Sequence, residues 1–302
     1  MREPPDDISD EAVLDAVREH WLPEVDAVEH LPVGFGAHHW RASAAGDPRL
    51  FVTLDALGAR HSLTSLTTAY AGAAALCAVG LEFVHPPLAP YAVGFGPGAL
   101  SATAWLDGEP ADDGDVVDAE ADATMLHRLH TAAQPELPSW RPLVPRDLAA
   151  TLAARLRHPW STGPHGERAR SGLLRRMVDV ERWTAAYHRL ATQALDRPWV
   201  ATHGEPDAHN QVVTANGTVL VDWESLKLAP RERDLRGLVE AGRADLAVPR
   251  WQMIQLFDLE WRLDEISQYA AWFAAPHTGT ASDEIALAGL EEELGRPEWR
   301  LP

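Results

Sequence analysis

The sequence predicts an α+β protein with two lobes, a small β-rich N-terminal lobe over residues 1–105 and a larger helical lobe over residues 106–302. Three observations support this fold class. Short apolar stretches interrupted by glycines dominate much of the first third of the chain, as in strands joined by tight turns. The segment LDGEP at residues 106–110 then breaks this pattern. Beyond it, most of the apolar spacing is helical.

The N-terminal lobe is predicted to open with a helix over residues 9–20, with Ser9 as its cap and acids in its first turn. Strand-type segments follow between residues 27 and 57. Residues 62–79, rich in Ala, Leu and Thr, are predicted to form a second helix. The segment YAVGFGPGALSATAW should then form two strands around a Gly/Pro turn.

The C-terminal lobe is predicted to be mostly helical, with strand signals at residues 199–201 and in a hairpin over residues 212–221. In the hairpin, two apolar runs flank Asn216-Gly217, a strong turn signal. The predicted helices of this lobe span residues 116–132, 146–157, 167–195, 232–246, 250–274 and 283–294.

Charge and cysteine content restrict the environment and the partners. The chain has 45 acids and 26 bases, a net charge of −19, which argues against nucleic acid or an anionic membrane as partner. A cationic small molecule is compatible with this charge, and so is an acidic surface that serves solubility alone. Cys77 is the only cysteine, and residues 1–11 lack signal-peptide features. We therefore expect a soluble cytoplasmic protein.

Polar residues gather at the two ends of the predicted hairpin. Asn210 enters it and Asp222 leaves it, so the hairpin should bring the two side chains together. An amide oxygen and a carboxylate are hard oxygen ligands of the kind that Mg²⁺ prefers. His203, Glu205 and this pair follow the pattern H-x-acid-x4-N, then a strand ending in Asp. That is the layout of a kinase, in which an acid accepts a hydroxyl proton and Asn and Asp hold the metal ions.

The chain resembles the aminoglycoside phosphotransferases, the antibiotic-kinase branch of the choline-kinase-like superfamily. The resemblance extends over nearly the whole chain and rests on His203-Gly204-Glu205 through Asn210, on Val221-Asp222-Trp223 and on APRERDL at residues 229–235. It implies a protein-kinase-like fold and antibiotic-type substrates. Glu205 would be the catalytic base, Asn210 and Asp222 would bind the metal, and His203 and Asp234 would be structural.

The resemblance also implies nucleotide- and substrate-binding residues. Gly34 and Gly36 form the glycine turn that would cover the phosphates, and Trp105 would border the nucleotide ring. The family gathers substrate-binding acids on its C-terminal helices, where the candidates here are Asp258, Asp264 and Glu265. An exposed amphipathic helix face explains these three acids equally well.

Two departures from the family pattern concern the catalytic chemistry. The family has Asp at the position of Glu205, and it has a lysine where this chain has Thr53. The acid that usually pairs with that lysine is also missing, because residues 62–81 contain no Asp or Glu. Arg41 and Arg60 are the arginines that could contact the phosphates instead.

The resemblance implies phosphorylation of a hydroxyl group on a small, cationic molecule, with ATP or GTP as donor and Mg²⁺ as cofactor. Two other functions remain open. One is a non-catalytic or repurposed kinase-like protein that binds a small molecule. The other is a kinase for a metabolite or natural-product intermediate.

Overall fold

The computed structural model of the chain describes residues 1–58, 60–111 and 118–298. Its helices are α1 (Asp10–His20), α2 (Leu63–Ala78), α3 (Ala119–Thr131), α4 (Leu148–Arg155), α5 (Gly166–Ala194), α6 (Arg236–Glu240), α7 (Trp251–Ala274) and α8 (Ala281–Gly295). Its strands are β1 (Ala27–Leu31), β2 (His38–Ala44), β3 (Asp47–Ala56), β4 (Val93–Phe95), β5 (Gly98–Ala104), β6 (Gly108–Pro110), β7 (Val200–Thr202), β8 (Gln211–Thr214), β9 (Gly217–Leu220) and β10 (Lys227–Ala229).

The chain forms two compact units. One consists of Met1–Trp140 with Trp199–Val248, and the other of Arg141–Pro198 with Pro249–Pro302. All ten of the strands above lie in the first unit. The predicted boundary between residues 105 and 106 is a different division of the chain, and it stays a prediction.

A five-stranded antiparallel sheet forms the N-terminal part of the first unit, in the order β1-β2-β3-β5-β4. Because side chains alternate along a strand, one face carries Trp40, Val52 and Ala102, which are buried with Val13 and Val17 of α1. The residues next to these in sequence are His39, Thr53 and Ser101, which pair with one another across β2, β3 and β5. This second row is therefore on the opposite face from α1.

Helix α2 begins with a capping box, in which Ser62 and Ser65 exchange hydrogen bonds between side chain and backbone. Its apolar residues, among them Leu66, share a buried cluster with Leu129 of α3 and Trp223. Trp223 directly follows the predicted metal ligand Asp222. The cluster therefore fixes the segment after β9 against α2.

The two small sheets of the first unit hold the polar segment. Strand β7 pairs with β10, and β8 pairs with both β6 and β9. The predicted hairpin is confirmed as β8 and β9, but its two-residue loop is Ala215-Asn216, one position earlier than expected. Gly217 pairs with Thr214 at φ +117°, so the glycine closes the loop from the first position of β9.

The second unit is helical within its described residues. Helix α5 packs against α4, α7 and α8, and the side chains buried there include Leu173, Trp183, Leu263, Phe273 and Leu290. Helix α8 begins with a capping box of Thr280 and Asp283. None of the described helices combines the length and apolarity that a bilayer crossing requires.

The α+β fold class is confirmed, but one helix prediction is wrong. Residues 232–246 form two short 3₁₀ turns around α6 instead of one continuous helix. The other predicted helices agree with the structure within a few residues, although residues 116 and 117 lie outside the described part of the chain. Strands β6 and β10 are additional elements that the sequence did not predict.

Candidate active site

The loop that follows β7 is held in place by a buried carboxylate. Asp234 accepts hydrogen bonds from the backbone N–H of His203 at 3.1 Å and of Gly204 at 2.7 Å. The Nε2 atom of His130, on α3, donates to the same carboxylate at 2.9 Å. Three donors stabilise the ionised form of a buried acid, and the pKa of Asp234 is below its usual range although burial opposes this shift. The geometry supports the predicted structural role of Asp234.

His203 is fully buried and connects the loop to the hairpin. Its Nδ1 atom accepts the N–H of Glu205 at 3.2 Å, and its Nε2 atom lies 2.8 Å from the carbonyl oxygen of Val221. Nε2 must therefore carry the proton. Trp223 packs edge-on against the imidazole at 4.6 Å. Burial lowers the pKa of His203, so a neutral ring links Glu205 to Val221, and the structural role of His203 stays a prediction.

Gly204 is required by the shape of this loop. Its φ of +107° is unfavourable for residues with a side chain. A Cβ atom there would also lie 2.2 Å from Nη2 of Arg233. The guanidinium group of Arg233 donates to the carbonyl and hydroxyl oxygens of Thr202. Glycine therefore lets Arg233 reach across the loop.

Glu205, the predicted base, has a side chain that is 26% exposed, and its Oε2 atom lies 3.8 Å from Nε2 of His209. This distance is longer than that of a strong hydrogen bond, so His209 is a close neighbour of Glu205 rather than a strong donor to it. Burial alone would raise the pKa of Glu205, but His209 and the positive charge of Arg60 outweigh it and the pKa is lowered. The carboxylate is therefore ionised at neutral pH and can accept a proton.

Asn210 and Asp222 meet at the open end of the hairpin. The N–H of Val221 donates to the carbonyl oxygen of Asn210 at 3.0 Å. Because Asp222 follows Val221 in the chain, this hydrogen bond brings Asp222 close to Asn210. The side-chain nitrogen of Asn210 donates to the carbonyl oxygen of Glu205 at 2.9 Å. Its other amide atom, the oxygen, makes no hydrogen bond to the described residues and can bind a metal ion.

Asp222 has a left-handed backbone, with φ 66° and ψ 61°, a conformation that Asp tolerates better than most residues. Its side chain is open to solvent, yet the surrounding protein raises its pKa to about 6, with a further contribution from Asp55 and Glu205. Burial and Asp222 together raise the pKa of Glu224 well above its usual value. The Oε2 atom of Glu224 is buried and has no hydrogen-bond partner within the described part of the chain.

This donor set fits a magnesium ion. The amide oxygen of Asn210 and the carboxylate of Asp222 are suitable ligands, and Asp55 and Glu205 add negative charge near Asp222. No three His, Cys, Asp or Glu side chains of the described chain are arranged to hold a metal ion alone. A magnesium ion would therefore need further oxygen ligands, such as nucleotide phosphates and water.

A second buried acid lies close to this cluster and was not predicted. Asp55, on β3, accepts a hydrogen bond from the hydroxyl of Tyr70 on α2 at 3.0 Å. Burial, with a contribution from Glu224, raises the pKa of Asp55 to about 7. Asp55 follows Thr53 by two residues, so both are on the same face of the strand. The hydrogen bond between Tyr70 and Asp55 thus links α2 to β3.

The two candidate arginines have different surroundings. Arg41 forms an ion pair with Glu29 across β1 and β2, so its charge is already paired. Arg60 lies between β3 and α2, and its charge lowers the pKa of both Glu205 and His61. Of the two, Arg60 is the one that acts electrostatically on the predicted base.

The glycine turn, which we define as residues 32–37 between β1 and β2, has positive φ at Gly34 and Gly36. An aromatic row lies beside it on the sheet. The ring of Phe51 is 5.0 Å from His39 and 6.5 Å from Trp105. The predicted nucleotide residues Gly34, Gly36 and Trp105 thus border one part of the sheet, although their binding role stays a prediction.

The three predicted substrate acids lie on α7, in the second unit. Asp258 is buried and forms an ion pair with Arg296. Glu265 is also buried, and Asp264 accepts a hydrogen bond from Gln268 at 2.8 Å. The alternative of an exposed amphipathic face is therefore wrong for Asp258 and Glu265. The substrate role of the three acids stays a prediction, and Asp264 is the most accessible of them.

Comparisons with known proteins were made by sequence and by structure. No protein-family model matches the chain. Protein StrN of Streptomyces griseus is 36% identical over 103 residues, which are 34% of this chain and 31% of StrN. The matched segment thus spans less than a third of that relative.

Solved structures match over almost the full length. Spectinomycin phosphotransferase APH(9)-Ia, in complex with ADP and spectinomycin, has a TM-score of 0.73 at 13% identity, with 97% of this chain and 96% of that chain covered. A choline/ethanolamine kinase family protein from Mesorhizobium loti has a TM-score of 0.54 at 16% identity, with 91% and 90% covered. Choline kinase LicA from Streptococcus pneumoniae has a TM-score of 0.52 at 13% identity, with 94% and 98% covered. At these identities the likeness shows the fold alone: the chain has the kinase-like fold of aminoglycoside phosphotransferases and choline kinases.

Proposed function

We propose that this protein is a phosphotransferase that moves a phosphoryl group from Mg²⁺-bound ATP or GTP to a hydroxyl group of a small, cationic molecule of the aminoglycoside type. One observation carries the proposal. Hydrogen bonds from the loop to the hairpin gather an ionised acid, an amide and a carboxylate, namely Glu205, Asn210 and Asp222. These are the three groups that phosphoryl transfer to a hydroxyl requires of the protein.

Each group has a separate task in this reaction. The carboxylate of Glu205 accepts the proton of the attacking hydroxyl. The amide oxygen of Asn210 and the carboxylate of Asp222 hold the metal ion. When bound, Mg²⁺ would neutralise charge on the nucleotide phosphates. His203 and Asp234 keep the loop in the geometry that lets Glu205 meet the hydroxyl, because small displacements of a reacting group reduce the rate strongly.

The remaining features support a nucleotide donor and a cationic acceptor. APH(9)-Ia, which shares the fold, was solved with ADP and spectinomycin. The rings of Phe51 and Trp105, 6.5 Å apart on the sheet, offer aromatic faces, as a purine site would. The net charge of −19 attracts cations to the surface. A nucleotide donor and a single cysteine also fit the cytoplasm, which we propose as the location.

The direct test is a transfer assay with γ-labelled ATP and GTP, with and without Mg²⁺. The acceptors should include spectinomycin, several aminoglycosides, choline and uncharged sugars. We expect Mg²⁺-dependent labelling of a cationic acceptor, with product identified by mass spectrometry. Binding of nucleotide without transfer to any acceptor would contradict the enzyme assignment, and transfer only to an uncharged acceptor would favour a metabolite kinase.

A second candidate function is small-molecule binding without catalysis. It is favoured by Thr53 at the lysine position and by the hydrogen bond between Asp55 and Tyr70, which replaces the usual ion pair between strand and helix. In this case the protein would bind nucleotide or acceptor with a defined stoichiometry but show no phosphoryl transfer. Its transfer rate would equal that of a Glu205→Gln variant, which lacks the proposed base. The transfer assay therefore separates the two functions.

A further inference from the structure

The side chain at the lysine position is connected to a histidine on the neighbouring strand. Thr53 on β3 pairs with His39 on β2, and its Oγ1 atom lies 3.2 Å from Nδ1 of His39. Both side chains belong to the sheet face opposite α1. Among the described residues, Thr53 Oγ1 forms no other hydrogen bond. The residue that replaces the lysine thus contacts an imidazole.

The nitrogen of His39 that carries the proton depends on whether the hydroxyl of Thr53 donates or accepts in this contact. Burial, with a contribution from the positive charge of the Met1 amino group, lowers the pKa of His39 to about 3, so the ring is neutral at physiological pH. A neutral imidazole has one N–H and one acceptor nitrogen. If the hydroxyl of Thr53 donates to Nδ1, both groups are satisfied and the proton is on Nε2. The partner of one ring nitrogen commonly fixes the tautomer in this way.

The Nε2 atom of His39 faces the glycine turn. A Cβ atom built on Gly34 would lie 3.0 Å from Nε2, so the backbone of the turn passes directly over this atom. Gly34 also has a φ of +66°. Nε2 makes no hydrogen bond to the described residues. In its Nε2–H form, His39 therefore directs an N–H donor to the glycine turn.

The other cations near the sheet are less suited to this position. Arg41 is paired with Glu29. Arg60 lowers the pKa of Glu205, the proposed base. His38 is on the opposite face of β2, beside Trp40 and His30.

We propose that His39 donates its Nε2–H to a nucleotide phosphate beneath the glycine turn, and so supplies the phosphate contact that Thr53 cannot make. This inference rests on the proposed function, because it assumes a nucleotide at the turn. Thr53 acts through His39, as a positioning residue, by holding the imidazole in the Nε2–H form.

Calorimetric titration of the full chain with Mg-ATP and with adenosine tests the contact. We expect His39→Ala to weaken Mg-ATP binding by about 10- to 100-fold, the loss typical of a hydrogen bond to a charged group. Adenosine binding should be unchanged, since adenosine has no phosphate. His39→Gln keeps an amide N–H near the position of Nε2 and should recover part of the affinity. His38→Ala is the matched control and should bind both ligands as wild type does.

The tautomer is tested by nitrogen NMR of the ¹⁵N-histidine-labelled protein, which needs no nucleotide. We expect wild-type His39 to be protonated at Nε2, and Thr53→Val to increase the Nδ1–H form. Wild-type His39 protonated at Nδ1 would overturn the inference, and so would equal Mg-ATP affinities of wild type, His39→Ala and His39→Gln. If wild type binds no Mg-ATP at millimolar concentration, the proposed function itself fails.

Discussion

At the scale of single residues, the proposed proton transfer depends on Glu205. We expect Glu205→Gln to reduce the transfer rate by about 10²- to 10⁴-fold, because the amide cannot accept the hydroxyl proton. Nucleotide affinity should remain near the wild-type value, since the loop is held by His203 and Asp234 through backbone groups. Steady-state kinetics and calorimetry with Mg-ATP measure the two effects separately.

Asp207 provides the matched control for this variant. It is an acid in the same loop, and no role in transfer is proposed for it. Asp207→Asn should keep the rate within a few-fold of wild type. Turnover of Glu205→Gln at the wild-type rate would remove Glu205 from the mechanism and leave the metal and bound phosphates as the only catalytic groups.

Asp222 tests the metal site. We expect Asp222→Asn to weaken Mg-nucleotide binding and transfer together, because a neutral amide holds a divalent cation less strongly than a carboxylate. Titrations with and without Mg²⁺ should show that the variant loses the gain in affinity that Mg²⁺ gives to wild type. Nucleotide binding by wild type that is independent of Mg²⁺ would contradict this assignment.

The site residues that could be predicted from sequence are those with fixed spacing along the chain. Glu205, Asn210 and Asp222 lie within one loop and one hairpin, so short-range pairing is enough to bring them together. His39, Asp55 and Tyr70 were missed as site residues because their partners depend on strand register and on the position of α2. No short-range spacing connects His130 to Asp234, because their contact spans 104 positions of the chain.

At the scale of secondary structure, most helices were predictable because their apolar periodicity is long. The exception is residues 232–246, where APRERDL and the following segment fold around buried carboxylates and form short turns. Strands β6 and β10 have three residues each. Their partners β8 and β7 supply the hydrogen bonds that define them, and so short a segment has no pattern of its own.

The hydrogen bond between Tyr70 and Asp55 joins β3 to α2, and the burial of Asp55, which raises its pKa, makes stability depend on pH. The folded protein keeps a proton on Asp55 up to about pH 7, whereas the ordinary pKa is 3.8. Between these values the unfolded chain binds fewer protons, so stability falls as pH rises, by about 1.4 kcal/mol per pH unit at most. We expect Asp55→Asn, which still accepts the Tyr70 hydrogen bond, to remove this loss.

Urea unfolding of wild type and Asp55→Asn from pH 4 to pH 8 measures the difference. The variant should gain stability relative to wild type as pH rises through this window, and the gain should level off above about pH 7. Asp47→Asn changes an exposed acid on the same strand and should follow the wild-type profile. Parallel stability profiles of wild type and Asp55→Asn would contradict this prediction, because they would show that folding does not raise the pKa of Asp55.

At the scale of the whole molecule, the excess of acids bears on the choice of acceptor. The net charge of −19 creates a negative potential around the protein, which raises the local concentration of cations. Such attraction is screened over about 8–10 Å near physiological ionic strength. A cationic acceptor should therefore bind more weakly as salt increases, whereas an uncharged acceptor should not.

We expect KM for the best cationic acceptor to rise several-fold between low and high salt, with a smaller change in kcat.

Asp264→Asn should raise this KM and reduce its salt dependence if Asp264 contacts the acceptor, because Asp264 is the most accessible of the three α7 acids. Asp196→Asn, on the exposed segment after α5, should leave KM unchanged. The comparison separates a local contact from the general potential: if both variants respond equally, the acceptor senses only the total charge. A salt-independent KM for the best acceptor would instead indicate an uncharged substrate and favour a metabolite kinase.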